Sequence, residues 1–102
     1  MEDSNADSRP EVEVIHNTAE RRFETEVDGH LAYADYRMDG DVMHFTSTQV
    51  PEAIGGRGIA GRLVRTGMDY AREHGHGVVP ACSYVAAWLE RHPEYEDLRA
   101  AG

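Results

Sequence analysis

The chain has 102 residues, a net charge of −9 and one cysteine, Cys82. That length allows one domain with one core. The acidic balance argues against nucleic acid or an anionic membrane surface as a partner, because both need a clustered positive face. All ten basic residues are arginine, which excludes Schiff-base lysine chemistry and a Walker lysine. No intrachain disulfide is possible, no apolar run approaches a membrane span and no signal peptide is recognisable, so a cytoplasmic location is expected.

The first half of the chain alternates apolar and polar residues in the manner of strands. Residues 1–10 are polar, which predicts a disordered tail ahead of a single domain over residues 11–102. Two Asp-Gly pairs, at 28–29 and 39–40, are strong signals for two-residue hairpin turns. We therefore predict an antiparallel meander of four strands, which cover residues 12–16, 22–27, 30–37 and 41–50.

The fourth predicted strand is the one that leads into the most informative segment. Alternation puts His44 on the same face as Val42, and we predict that this face looks inward. That makes a satisfied core histidine the simplest interpretation of His44. The same alternation puts Thr46 and Thr48 on this face, and Met43, Phe45 and Ser47 on the other.

Helical periodicity replaces the alternation after residue 58, because small and apolar side chains now recur along one stripe. The pattern predicts a helix over residues 58–74, which Gly75 and Gly77 end. A short strand at 78–79 and a second helix over 84–91 follow, and the latter ends at His92-Pro93. The order β-β-β-β-α-β-α predicts an α+β (mixed α/β) fold, with strands four and five parallel in an otherwise antiparallel sheet.

Residues 51–61 hold Gly55, Gly56, Gly58 and Gly61 between a strand and a helix N-terminus. Such a junction exposes unpaired N–H groups at the positive end of a helix dipole and favours phosphate binding. The alternative is a tight turn with close helix–sheet packing. The literal G-x-G-x-x-G match lacks the parallel βαβ context of a dinucleotide site, and a P-loop lysine is missing.

The segment resembles the pyrophosphate loop of GNAT acetyltransferases, whose motif is Gln/Arg-x-x-Gly-x-Gly/Ala. Gly58 and Ala60 match its last two positions, Gly55 stands where Gln or Arg is usual, and Arg57 is expected to supply part of the missing charge. Three further segments resemble very small GNAT-like proteins of this length. They are Thr-Gln-Val-Pro at 48–51, Pro-Ala-Cys-Ser-Tyr-Val at 80–85 and Arg-His-Pro-Glu-Tyr at 91–95.

This resemblance implies a minimal acyl-CoA N-acyltransferase fold that binds acetyl-CoA or coenzyme A. The pyrophosphate is expected on the glycine loop, and the pantetheine between strands four and five, where one backbone N–H serves as oxyanion donor. Ser47 and Gln49 stand where His and Glu are expected in those small proteins. The predicted coenzyme contacts are Ser47, Thr48, Gln49, Val50, Gly55, Gly56, Arg57, Gly58, Ile59, Ala60 and Gly61.

Candidates for catalysis are fewer. Cys82 lies just after strand five and is either an acyl-accepting nucleophile or a small buried hydrophobe at a strand end. Tyr84 and His44 are weaker candidates for proton transfer. His74 and His76 have no third ligand at a suitable spacing, so no metal site is predicted.

The leading hypothesis is an acetyl-CoA-dependent N-acetyltransferase that acts on an unidentified amine, carried by a small molecule or a protein. The alternative is a coenzyme A-binding module with little or no turnover, which the changed residues Ser47 and Gln49 favour. A protein that merely keeps the fold for an interaction is the third possibility. A monomer or weak dimer is expected.

Overall fold

Strands and helices alternate as the sequence predicts in this computed structural model, which describes residues 13–100. The predicted tail at 1–10 lies outside the described residues. Two 3-10 helices, Glu52–Ile54 and Pro93–Leu98, flank the second half of the chain. The strands are β1 Ile15–Asn17, β2 Arg22–Val27, β3 His30–Asp39, β4 Val42–Gln49 and β5 Gly77–Pro80, and the helices are α1 Ile59–Glu73 and α2 Ser83–Arg91.

The sheet keeps its strands in chain order, β1-β2-β3-β4-β5. Strands β1 to β4 pair antiparallel, whereas β4 and β5 pair parallel, as predicted for strands that a helix connects. The β2–β3 turn at Asp28-Gly29 has φ values of 52° and 79°, the two positive values that a type I′ hairpin requires. The next turn lies one residue later than predicted, because Asp39 pairs with Val42 and leaves Gly40-Asp41 as the loop.

The core lies between one face of the sheet and the apolar stripe of α1. Phe23 and Phe45 are fully buried on this face. A Cβ on Gly67 would come within 2.7 Å of Phe45 Cζ and 3.1 Å of Phe23 Cε2, so only glycine allows α1 this close to the sheet. The buried residues of the two helices are Ile59, Leu63, Val64, Gly67, Met68, Ala71, Val85, Trp88 and Leu89.

A β-bulge interrupts β4. Asp35 of β3 pairs with Ser47, whereas the next residue, Tyr36, pairs with Phe45. Thr46 is therefore an extra residue on β4 that has no partner on β3. The bulge exchanges the inward and outward positions of the strand, because the side-chain period of a strand is two residues.

The exchange corrects the predicted faces of β4. Met43 and Phe45 are buried before the bulge, and after it Thr48 lies opposite the buried Ala34 and faces the core. The predicted inward face for His44 was wrong. His44 alternates with the buried Met43 and Phe45, so it lies on the opposite face of the sheet with an 18% exposed side chain.

The C-terminal end of α1 closes in a Schellman motif. Gly75 has φ 72°, and its N–H donates to Arg72 O at 3.4 Å. The N–H of His76 donates to Ala71 O at 2.8 Å. These bonds satisfy the last carbonyls of the helix with backbone groups, as predicted from the glycine that follows it.

Aromatic and histidine rings cover this C-terminal end of α1. Tyr70 of the helix stacks on His74 with ring centroids 4.0 Å apart, and the edge of His16 from β1 meets Tyr70 at 4.4 Å. His16 also shares a short hydrogen bond with the Tyr36 hydroxyl. Burial first, and the neighbouring His74 second, lower the pKa of His16.

Within residues 13–100, no helix combines the length and the apolar character that a membrane crossing needs.

Candidate functional site

The segment between β4 and α1 is pinned at two buried isoleucines. Ile54 is fully buried and Ile59 is 2% exposed, while residues 55–58 between them are exposed. The 3-10 helix Glu52–Ile54 ends as Gly55 N–H donates to Glu52 O at 3.1 Å. The exposed glycine turn is thus held at both ends by side chains in the core.

Backbone N–H groups of this turn point to no acceptor in the described part of the chain. Neither a side-chain cap nor a backbone acceptor is present for the N–H groups of residues 56–61, and the first intrahelical bond runs from Arg62 N–H to Gly58 O at 3.2 Å. Gly56 and Gly58 have φ values of 78° and 74°, and a Cβ on either would stand in open space. The turn therefore combines unpaired donors with open space beside Gly56 and Gly58, which suits a pyrophosphate.

Arg57 lies in the turn but is engaged elsewhere. Its Nη1 donates to Asp28 Oδ2 at 2.9 Å, and both side chains are largely exposed. An exposed pair of this kind contributes little stability, so an anion in the turn can compete for the guanidinium at small cost.

Strands β4 and β5 separate beside the bulge. Their parallel pairing ends at Phe45 and Pro80, although the Cys82 N–H still donates to Phe45 O at 2.9 Å. Beyond this point β4 continues to Gln49 along β3 alone. We call the opening between Thr46–Gln49 and Cys82 the fork.

Inside the fork, Thr48 and Cys82 face each other. Thr48 Oγ1 lies 3.6 Å from Cys82 Sγ; both side chains are half-buried, and that of Cys82 packs against the core. Of the predicted contacts on β4, Ser47 faces away and donates its hydroxyl to Asp35 Oδ2 at 3.1 Å. The bulge thus brings Thr48, rather than Ser47, next to the cysteine.

The surroundings of Cys82 lower the pKa of its thiol. Burial raises the pKa of this thiol, but hydrogen bonding from the Val85 amide and the Thr48 hydroxyl lowers it, and the lowering contributions prevail. Cys82 occupies the N-cap position of α2. The positive end of the helix dipole at this position also favours the thiolate.

Tyr84 and His44, the weaker catalytic candidates, lie in two different places and are not grouped around the Cys82 thiol. The Tyr84 hydroxyl lies 3.7 Å from where a Cβ on Gly61 would stand, in the first turn of α1. His44 lies across the sheet, with Nε2 4.0 Å from Asp39 Oδ2. Within the residues that the structure describes, no three His, Cys, Asp or Glu side chains are grouped to hold a metal ion.

An open cleft of about 520 Å³ runs from the glycine turn between α1 and α2. Gly58 of the turn and Gly61 of the first turn of α1 line it. The arginines of its lining were not predicted as site residues, because Arg62 and Arg65 lie off the apolar stripe and have the pattern of a solvated helix face. Only the packing of α2 against α1 brings these arginines together with Tyr84, Trp88, Arg91 and His92.

The family model of GCN5-related N-acetyl-transferases matches residues 22–98. The chain belongs to the GCN5-related N-acetyltransferase family. The fork, the glycine turn and Cys82 all fall inside the matched region of this GCN5-related chain.

A solved structure supports the same assignment. It is the NMR solution structure of a GCN5-like protein from Staphylococcus aureus, whose N-acetyltransferase activity is itself inferred. The two chains are 26% identical and superpose with a TM-score of 0.71, over 88% of this chain and 89% of the other. This structural match agrees with the mixed α+β architecture of the chain.

Proposed function

We propose that this GCN5-related protein binds acetyl-CoA and transfers the acetyl group to an amine. One observation carries the proposal: the unpaired N–H groups of residues 56–61 form an anion cradle at the end of the strand that forms one side of the fork. A pyrophosphate held in the cradle leaves the pantetheine arm free to enter the fork. Family membership supports acyl-CoA as the ligand.

Coenzyme A in its acetylated form supplies a thioester that is open to attack by an amine, with an amide and a free thiol as the products. The residues of the chain have to hold and orient it. Gly56 and Gly58 let the backbone approach the phosphates without side chains in the way. Backbone N–H groups of β4 beyond the bulge are candidates for binding the carbonyl oxygen during transfer.

Cys82 is the candidate catalytic group of the fork. Its lowered pKa raises the share of thiolate at neutral pH. In a two-step route the sulfur takes the acetyl group from the coenzyme, which leaves as its thiol, and then passes it to the amine. Tyr84, beside the glycine turn, suits a contact with the coenzyme better than proton transfer at Cys82.

The second candidate function is a coenzyme A-binding module with little or no turnover. Ser47 and Gln49 carry no group that takes up a proton at neutral pH, and His44 lies on the opposite face of the sheet. A direct attack by an amine needs a base for the incoming ammonium. Neither the changed strand residues nor His44 supplies such a base beside the thiol within residues 13–100, and this favours the module.

Two measurements on the full chain test and separate these functions. Calorimetric titration with coenzyme A is expected to show one site, and an absence of binding would refute both functions. Incubation with acetyl-CoA, followed by mass spectrometry, is then expected to give a hydroxylamine-sensitive acetyl adduct on Cys82, together with release of free thiol when a panel of amines is added. Binding without adduct or thiol release would leave the binding module.

A further inference from the structure

The cleft beside the glycine turn is lined by cations. Three of its lining residues are arginines, Arg62 and Arg65 from α1 and Arg91 from α2, and no aspartate or glutamate lines it. All three arginines are exposed. In a chain with 19 acidic and 10 basic residues, a cleft of this sign departs from the overall charge of the molecule.

These three guanidinium groups also lack carboxylate partners in the described part of the chain. Arg22, Arg57, Arg72 and Arg99 each form an ion pair with an aspartate or glutamate. No such pair involves the cleft arginines, although carboxylates outnumber guanidinium groups nearly two to one. Like charges held in one cleft repel each other, and an anion between them removes that repulsion.

The pyrophosphate alone does not account for all three. Arg65 lies about 9 Å along the axis from the start of α1, at 1.5 Å per residue. Its guanidinium is held there, since Nη1 donates to the Tyr95 hydroxyl at 3.2 Å and the group sits 5.5 Å from the centre of the Trp88 ring. Arg65 is thus fixed away from the first-turn amides that would bind the pyrophosphate.

We propose that the arginine cleft binds the ribose 3′-phosphate of coenzyme A. This inference rests on the proposed coenzyme function. The 3′-phosphate is the one further anionic group that this ligand carries, and it is joined to the pyrophosphate through the ribose. Arginine presents several donors in a rigid fork that suits phosphate oxygens. Arg65 and Arg91, on two different helices, hold the phosphate from two sides.

The assignment has a consequence for substrate choice. A phosphopantetheine arm that is carried on a protein has no ribose and no 3′-phosphate. The cleft therefore makes free acyl-CoA the preferred acyl donor over a protein-borne acyl group, and over 3′-dephospho-coenzyme A.

The test is calorimetric titration of the full chain with coenzyme A and with 3′-dephospho-coenzyme A. The wild-type chain is expected to bind coenzyme A at least about tenfold more tightly, as charge-assisted hydrogen bonds predict. Arg91→Gln and Arg65→Gln should each reduce that preference, and the double variant should remove it while leaving the affinity for the dephospho ligand within about twofold, since the pyrophosphate contacts remain.

Arg37→Gln is the matched control. Arg37 is also exposed and has no carboxylate partner among the described residues, but it lies on β3, away from the cleft. The control removes the same charge and should keep the preference. A thermal melt of each variant checks the fold, and Arg91→Gln carries the test if Arg65→Gln unfolds, because Arg91 makes no described side-chain hydrogen bond.

The outcomes separate this inference from the proposed function. Equal affinity of the wild-type chain for both ligands would overturn the 3′-phosphate site and leave coenzyme binding intact. An equal loss in Arg37→Gln would overturn it too, because general attraction to an anion would then be the cause. Failure of both ligands to bind would overturn the proposed function as well.

Discussion

The two ends of α1 are built on the same element, a glycine with positive φ, and they use it in opposite ways. At the C-terminal end, Gly75 with φ 72° directs the chain into hydrogen bonds that satisfy the last carbonyls. At the N-terminal end, Gly58 with φ 74° caps the helix with no side-chain bond and leaves N–H groups unpaired. The sequence completes one end and leaves the other open, and the proposed function assigns the coenzyme to the open end.

Replacement of Gly58 and Gly75 should give the largest difference between the two ends of α1, a difference in affinity for coenzyme A. Gly58→Val and Gly75→Val each force a β-branched residue into the left-handed region, at about 1–2 kcal/mol of folding free energy. Only Gly58→Val also puts a side chain into the anion cradle. It should prevent hydrogen bonds between the N–H groups of the turn and the phosphates of coenzyme A, each worth about 1.5–3 kcal/mol. We expect it to weaken coenzyme A binding by about 100-fold or more.

Gly75→Val is the control for strain, and it should melt at a temperature similar to that of Gly58→Val while binding coenzyme A like the wild-type chain. Calorimetry and thermal melts measure the two effects. Equal affinities in the two variants would contradict the role of the turn.

A substitution at Gly67, in the middle of α1, should change the stability of the fold and not the affinity for coenzyme A. In Gly67→Ala the new methyl group meets Phe45 Cζ at 2.7 Å and Phe23 Cε2 at 3.1 Å, and overpacking of this kind costs about 1–3 kcal/mol. Gly61→Ala is the matched variant in the same helix. Its methyl group would lie 3.7 Å from Trp88 Nε1, an ordinary contact, so the higher helix propensity of alanine should stabilise it by up to about 1 kcal/mol.

Thermal or urea unfolding of the two alanine variants gives the comparison directly. A change of about 1 kcal/mol shifts the midpoint by about 4–8 °C in a domain of this size. If Gly67→Ala were as stable as Gly61→Ala, α1 would lie farther from the sheet than described.

In the fork, the rate of alkylation of Cys82 reports the state of its thiol. Because its pKa lies below the ordinary value, alkylation by iodoacetamide should reach half its maximal rate at a pH below that of a free thiol. Thr48→Val removes one hydrogen bond to the sulfur and should raise this pH. Cys82 is the only cysteine in the sequence, so the rate reports a single site.

Coenzyme A should slow this alkylation by occupying the fork. An adenosine phosphate that has no pantetheine arm is the control ligand and should leave the rate unchanged. Equal protection by both ligands, or by neither, would show that the arm does not reach Cys82.

The C-terminal end of α1 should show the smallest effect, a dependence of stability on pH. Burial first and His74 second lower the pKa of His16 from 6.5, so the unfolded chain takes up this proton at a higher pH than the folded chain. Between the lowered pKa and 6.5 the unfolded state binds more protons, and the free energy of unfolding therefore falls as the pH falls. Below the folded-state pKa this loss is complete.

Urea unfolding at a series of pH values from pH 8 downwards, in steps of about 0.5, measures how the free energy of unfolding changes with pH. His16→Gln should flatten this dependence, whereas His30→Gln, at the exposed start of β3, should not. An unchanged slope in His16→Gln would show that other groups set the pH dependence.

Local patterns predicted the order of the elements and the position of the glycine turn well. The alternation of Phe23, Thr25 and Val27 gave the bounds of β2, and the apolar stripe and Gly75 gave α1 to within one residue at each end. These features depend on neighbours in the chain, which a single sequence displays.

Features that arise between distant segments were not readable. No residue type marks Thr46 as a bulge, since the extra residue is defined only by pairing with β3, and the inward face predicted for His44 was therefore wrong. The arginine cleft was not predicted from the sequence for the same reason. Arg65 and Arg91 are 26 residues apart in the chain, and only the packing of α2 on α1 joins them.

The extra residue at Thr46 also determines what the loss of one codon at this point of the gene would do to the strand. The bulge lets β4 begin with Met43 and Phe45 in the core and end with Thr48 facing the same side. Deletion of Thr46 would restore an unbroken alternation and turn Thr48 and Val50 to the opposite face of the sheet. A reading frame shortened by one codon here would therefore separate Thr48 from Cys82, although both residues would still be encoded.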